Sequence, residues 1–487
     1  MGRSGFLIII FICTLATANA QEDYNFTQID SSTYANTLSE NWDEVIRMGN
    51  YALDHEQDYF YLRLRMGIAY FQKNNYRAAA KHLEKAVAFN PDHGLSKDYL
   101  YHAYLYSGQH DEAVFVSGQM NDKMREVSGI NNKHVFNYIY LATGPEISNN
   151  IEDHEFGDMP RGQSYRQQDL YGSSYYTLLG TKLQLHPRVS VYVGLSNLMI
   201  SKKASLQYRW NRPDSIVEYD WGFEKYFPDQ ASIETQTYDY TLTQYNAYLN
   251  ANIILGKGWS LKPALNYINV DTRSINIENQ SKIVSDTAFY NSDTDSIAYF
   301  NYRDVGFEMK PTLLTLNNVV VSLALKKKIS IFDLGLFGSW SNLNDFNQIQ
   351  FGFSATYFPF GNLDFYGSSI FKVLTQEDET NLIFSQMIGM KLTHFLWAEG
   401  FGAFGNLSGT NESDALSVYN ISDEIHLKTG INLTFVISSS VHLSARYQYL
   451  QKEGTRTISG MGIPGGMRTE ELKYNNHSII GGLKWTL

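Results

Sequence analysis

Residues 424–448 read EIHLKTGINLTFVISSSVHLSARYQ, and this stretch decides the fold. One register is apolar apart from Thr429: Ile425, Leu427, Ile431, Leu433, Phe435 and Ile437. The other is polar or small: Glu424, His426, Lys428, Gly430, Asn432 and Thr434. Ser438 to Ser440 make a tight turn, after which Val441, Leu443, Ala445 and Tyr447 alternate with His442, Ser444, Arg446 and Gln448. A period of two means strands, because successive side chains point to opposite faces. The first arm runs about 14 residues, well beyond the usual 5–6 of a soluble strand. Crossing a bilayer takes about 9–11 tilted residues. We read the stretch as one hairpin of a transmembrane β-barrel.

The N-terminus fits that setting. Arg3 precedes an apolar run from Phe6 to Leu15 and then Ala18-Asn19-Ala20, the pattern of a secretory signal peptide over 1–20. The single cysteine, Cys13, lies inside it, so the mature chain is expected to carry no disulfide or thiol chemistry. No later stretch is apolar for the 18 residues that mark a helical span. Mean hydropathy is −0.30 although aromatics make up 14% of the residues. A barrel reconciles the two, since only one face of each strand meets lipid and aromatic rings crowd the interfaces. The net charge of −11 argues against nucleic-acid binding.

Residues 21–130 do not alternate and read as helices with a 34-residue period, in units near 26–59, 60–93 and 94–127. In the middle unit Gly67, Tyr70, Ala79, Leu83, Ala86 and Pro91 hold positions 8, 11, 20, 24, 27 and 32. These six spaced positions closely resemble the tetratricopeptide repeat, with Arg63 where tryptophan is usual. Gly67 and Ala79 let the two helices of a unit approach, and Ala86 lets the next unit stack. The resemblance implies a concave, partner-binding face carrying Tyr61, Leu64, Gln72, Asp98, His102 and Tyr106. The plainer alternative is that these helices only pack against the mouth of the barrel or a sister subunit.

From about 131 to 487 the period is two. Strands are expected near 133–143, 170–186, 189–200, 239–255, 259–272, 312–326, 329–340, 346–358, 363–374, 381–393, 396–406, 417–438, 441–452 and 472–487, which makes 14. The intervening turns are read as alternating strictly between short (Pro187, Gly256 to Gly258, Lys326 to Lys328, Phe360 to Asn362, His394) and long (201–238, 273–311, 407–416, 453–471). Short periplasmic turns and long outer loops characterise outer-membrane barrels. The fold class is therefore α + β: a short all-α solenoid, then an antiparallel transmembrane barrel of about 14 strands. The chain end, Leu483 to Leu487 with Trp485, resembles the closing strand of an outer-membrane barrel.

Lys182, Lys262, Lys372, Lys391, Lys428, Arg446 and Lys484 fall on the inward register, with Asp364, Glu399 and Glu424 as the acids there. Lys182, Lys262, Lys391 and Lys484, with Arg446, suggest a basic ring that would favour anions. The alternative is that they pair with lumen acids or loops and fill the barrel. Tyr208, Trp210, Tyr219, Trp221, Phe223, Tyr226 and Phe227 make one loop ring-rich, suited to stacking on sugars, to a constriction, or to a small core of its own. Asn291 to Asp295 alternate oxygen ligands but lack the glycine and distal glutamate of a calcium loop, and read as a solvated turn. His442 and Ser444 share a face without a third triad member, and no His-Glu-x-x-His motif occurs. No enzyme, metal or cofactor is expected.

The domain order resembles bacterial exopolysaccharide export ports, which join such repeats to a barrel. Two functions follow. One is an outer-membrane conduit for an anionic or saccharide-like substrate, with a periplasmic repeat module that binds a protein partner. The other is a non-transporting anchor whose repeats recruit a secretion, adhesion or assembly complex. An open basic channel would favour the first, and a lumen filled by side chains and loops the second.

Overall fold

The computed structural model describes residues 24–130, 135–210, 217–219, 222–224, 232–291, 296–304, 306–343, 346–377, 379–460 and 466–487. The leader expected over 1–20, with Cys13, lies outside them.

Seven described helices come first: α1 (Phe26–Leu38), α2 (Trp42–Asp54), α3 (Phe60–Gln72), α4 (Tyr76–Phe89), α5 (Gly94–Tyr106), α6 (His110–Ser117) and α7 (Asp122–Val127). The odd helices α1, α3 and α5 begin 34 residues apart, and so do α2, α4 and α6. Asn25 closes a capping box with Gln28 at the head of α1, and the Asn75 side chain accepts from the Ala78 amide at the head of α4. Ala79, Leu83, Ala86, Leu100 and Ala103 form the buried seam of the stack. Gly67 is required there, since a Cβ would stand 2.5 Å from Leu83 Cγ.

Fourteen strands then close a barrel, each beside its sequence neighbour. They are β1 (Phe136–Ser148), β2 (Gln163–His186), β3 (Val189–Trp210), β4 (Ser232–Gly256), β5 (Trp259–Asn279), β6 (Phe307–Ile329) and β7 (Phe332–Ser341), followed by β8 (Gln348–Tyr357), β9 (Phe365–Gln376), β10 (Glu379–Lys391), β11 (Leu396–Phe404), β12 (Glu424–Val436), β13 (Val441–Gly460) and β14 (Met467–Thr486). β1 pairs with β14, Leu141 opposite Leu483 and Ile139 opposite Trp485, which abolishes sheet edges. Leu195, Leu336, Phe351, Leu382 and Ile479 stand exposed on the outside, while Ser190, Asn266, Gln350, Lys372 and Asn476 are buried. Apolar out and polar in is the reverse of a water-soluble barrel, and it suits an outer surface in lipid.

Three expectations need correction. First, much of what reads as long loop is strand: β2, β4 and β6 run 24, 25 and 23 residues, roughly twice what a bilayer needs. The polar alternation of these extensions hides them. At their far end Gln163–Gln168 of β2 pair with Arg456–Gly460 of β13, drawing the extensions together beyond β1. Second, the short–long alternation fails between β9 and β10, which are separated only by residues 377 and 378. Third, Glu424 does not face the lumen. The register shifts between Ile425 and Leu427, so His426 is an extra residue in β12. A bulge of this kind swaps the faces before it. Ile425 turns inward, 1% exposed, and Glu424 turns out.

His82 on α4 is a test of the helical stack. Arg63 Nη1 lies 3.1 Å from its Nδ1 and Tyr70 stacks on it at 5.2 Å. Arginine can only donate, so the ring accepts and is neutral. Burial and then the Arg63 charge push its pKa down from 6.5 to about 4. Between these values the unfolded chain takes up a proton that the folded chain refuses, so stability is lost as pH falls from 6.5 towards 4. The helices of His82→Gln should lose about 3 kcal/mol less than the parent over that interval. Thermal unfolding of the full chain in detergent, followed by helical circular dichroism at both pH values, measures the difference.

Candidate functional site

The connection between β11 and β12, residues 405–423, folds into the lumen. Gly405 makes the inward turn at φ 110°, where a Cβ would lie 2.2 Å from the Leu382 carbonyl oxygen. A short ladder pairs Asn411 with Val418 and Glu412 with Ser417. Its tip, Ser413-Asp414-Ala415, has three successive left-handed residues at φ 54°, 56° and 73°. Such residues cost about 1–2 kcal/mol each and persist only where surroundings hold them. Here the opposite wall does. Tyr248 Oη on β4 donates to the Asp414 carbonyl at 2.9 Å, and Asn266 Nδ2 on β5 donates to the Ala415 carbonyl at 2.8 Å. Strands 4 to 6 lie about half a turn of the barrel from 11 and 12, so the hairpin spans the lumen.

Charge and packing fix it along its length. Glu412 pairs with Lys428, and Lys372 lies 3.7 Å away. The Asp414 carboxylate sits 3.6 Å from Lys262 and 3.5 Å from Lys326. Ala415 is fully buried among Ile200, Leu242, Ile268 and Val320. Leu407 packs with Leu374, Ile383, Ile425 and Leu450.

The hairpin borders two cavities. One, about 390 Å³, is lined from β6 to β13 and includes Lys326, Lys372 and Glu399. The other, about 560 Å³, is lined by β1 to β4 and β12 to β14 and includes Tyr140, Tyr176, Ser444 and Lys484. Lys428, Asn432 and Arg446 line both. Glu399 accepts from Tyr366 Oη at 2.7 Å and from Asn432 Nδ2 at 2.9 Å.

The helices close over the short turns. Asp111, in the first turn of α6, accepts from Lys182 Nζ at 2.6 Å and Asn252 Nδ2 at 2.6 Å. Glu112 pairs with Lys328 at 2.6 Å. Arg77 forks onto Asp333 at 2.7 and 3.0 Å and lies 3.6 Å over the Phe358 ring. Burial alone would raise the Asp111 carboxyl, but Lys182, Asn252 and Lys262 bring it below its ordinary value. Burial, then Lys484 and Lys182, lower His110.

The five predicted basic residues therefore do not form one open ring. Lys182 and Lys484 surround the start of α6, and Lys262 holds Asp414. Lys391 sits apart, 3.9 Å from Asp364 and 5.2 Å from the Trp397 ring. Arg446 faces the cavities, with the Phe401 ring 5.7 Å away. Sequence reasoning missed Lys326, Lys328, Asp111, Glu112, Glu412 and Asp414. The run Lys326-Lys327-Lys328 beside a turn was the available signal; nothing in 405–423 announced an inward fold. Of the predicted concave face, Tyr61, Gln72 and Tyr106 are exposed, and Asp98 and His102 half-buried. Leu64 is a correction: at 6% exposure it belongs to the helical core, where its helix meets the next. Tyr208 is buried against Phe307 of β6. Trp221, Tyr226, Phe227 and residues 292–295 of the calcium-like stretch lie outside the described residues, and the side chains of Trp210, Tyr219 and Phe223 are not described. Among the described residues no three His, Cys, Asp or Glu gather to hold a metal.

Fold and lumen define a class: a closed 14-stranded barrel with an apolar outer surface, crossed inside by one of its own connections. No protein-family model matches the sequence, and no curated protein matches it. Solved structures similar to it include the translocator domain of autotransporter NalP from Neisseria meningitidis, at 8% identity and TM-score 0.28, covering 79% of this chain and 100% of that one. Others are a bacterial polysaccharide outer membrane secretin (7%, TM-score 0.31, 72% and 99% covered) and the P. putida toluene transporter TodX (8%, 0.30, 72% and 90%).

The docking contacts make a prediction. Asp111→Ala leaves Lys182 without its carboxylate, and breaking such a buried pair costs about 3–5 kcal/mol. Limited proteolysis of the folded chain should then release the helical segment at least tenfold faster, with the barrel intact on unheated gels.

Proposed function

We propose that the chain is an outer-membrane port that rests closed. Its helices lie in the periplasm and its lumen passes a small polar solute when the 411–418 hairpin leaves the opposite wall. The observation that carries this reading is the hairpin itself. It spans a polar interior between two cavities of about 390 and 560 Å³, and its tip is held by ion pairs and by hydrogen bonds to backbone carbonyls. Such contacts exchange readily for water or solute, and confined charges select among ions. The cations lining the cavities support a preference for anions. The 34-residue step of the helices supports a tetratricopeptide-like module, with Tyr61, Gln72, Asp98, His102 and Tyr106 left to meet a protein partner. The chain is read as non-catalytic.

A second reading has its own support. The lumen is crossed by a loop, and Arg77, Asp111 and Glu112 fasten the helices near two short turns, β2–β3 and β6–β7. A barrel filled in this way also serves as an anchor that presents the helices to a secretion, adhesion or assembly complex.

Planar-bilayer recording separates the two. The parent should show little conductance, and a chain with 411–418 replaced by two glycines should conduct steadily, at least fivefold more and with anion preference. A shortened chain that folds and inserts but stays silent gives the anchor reading the field.

A further inference from the structure

We propose that the larger lumen cavity is a binding site for a small anionic sugar, one or two rings carrying a carboxylate or phosphate, held by Arg446 and Lys484. The proposal deepens the port reading by naming its solute, and rests on that reading only for how the solute arrives.

Charge is the first argument. Of the cations lining the cavity, Lys452 pairs with Glu146 at 2.9 Å and Lys428 with Glu412. Arg446 and Lys484 have no carboxylate partner among the described residues. Arg446 lies 5.7 Å from the Phe401 ring, and Lys484 lies 4.6 Å from the Tyr138 ring and beside His110 at the start of α6. The one acid of the wall, Glu146, is already held by Lys452 and by Asn476 Nδ2. The site thus carries two uncompensated positive charges, which repel a metal cation and attract an anion. A guanidinium forks onto carboxylate or phosphate with two parallel hydrogen bonds.

Spacing and lining narrow the ligand. His442 lies opposite Lys484, and Arg446 is four residues further along β13 on the same face. That sets the backbone positions of the two residues about 13 Å apart along the wall, near the span of a disaccharide. The volume of about 560 Å³ falls in the range of small-ligand pockets. Ser174, Ser196, Ser444, Gln244 and Asn246 supply hydrogen-bonding groups, and Tyr140 and Tyr176 supply rings. The Ser478 hydroxyl on β14 and the amide oxygen of Asn420, on the inward connection that lines the same cavity, are buried without a hydrogen-bond partner. A lipid-like or aromatic hydrocarbon would leave these groups unsatisfied.

Calorimetric titration of the full chain in detergent tests the site with lactobionate, lactose and glucose 6-phosphate. Lactobionate should bind at least tenfold more tightly than lactose. Arg446→Gln, which removes no ion pair, should weaken lactobionate at least tenfold with the thermal midpoint unchanged, and Lys484→Gln should weaken it less. Binding of glucose 6-phosphate in place of lactobionate supports the site and names phosphate as the anion. Equal binding of lactose and lactobionate, or an unaffected Arg446→Gln, overturns it. The titration is repeated on the chain shortened at 411–418, so that access does not limit the result. Binding to neither form overturns the proposal. Binding to a shortened chain that does not conduct leaves the site standing and removes the port.

Discussion

Lipid outside the barrel leaves only the inner faces of its strands for polar side chains, and the rest of the structure follows from what those side chains then need. A lysine in a narrow, partly dry lumen is costly without a counter-charge. Lys262, Lys326, Lys372 and Lys428 find theirs on one connection, at Glu412 and Asp414. The two acids are two residues apart, a spacing that would send both the same way along an extended strand. The left-handed turn at 413–415 separates them, so that Glu412 serves β9 and β12 while Asp414 serves β5 and β6. Backbone strain and charge matching are thus one arrangement, since without the turn half the lysines would lack a partner.

The helices obey the same constraint from the other end. α6 begins with His110-Asp111-Glu112, and its two acids meet Lys182 and Lys328 at the short turns. Acids in the first turn of a helix are favoured by its dipole as well. The helical segment and the inward hairpin therefore approach one group of lysines from opposite sides, and Lys262 acts on both Asp111 and Asp414. What neither reaches is Arg446.

The number and order of the strands were legible because lipid enforces a two-residue period, strand after strand, that nothing else in the chain imitates. The helical period was legible for a related reason: Ala79, Ala86 and Gly67 are small because a neighbouring helix occupies the space. The lumen was not legible. Inward residues alternate whether they face water, a loop or a helix, so Lys182 looks like a pore residue and is a docking residue. His426 shows the limit from inside the deciding stretch itself. Polar alternation runs unbroken through Glu424, His426 and Lys428, yet the bulge at His426 puts Glu424 outside. An apolar residue is welcome on either face once loop 405–423 supplies apolar company within, so Ile425 carries no directional signal.

The strength of the closure can be weighed. Ala415, Leu416 and Ile421 pack the hairpin against apolar wall, a stabilisation of about 0.8 kcal/mol for the buried alanine methyl and at most about 3 kcal/mol for each of the two partly buried larger side chains. Three left-handed non-glycine residues at the tip cost about 1–2 kcal/mol each. The two sums are of the same order, so ion pairs and carbonyl hydrogen bonds decide the balance. These are polar contacts of the kind that water can replace, and Lys428 stands where both cavities meet.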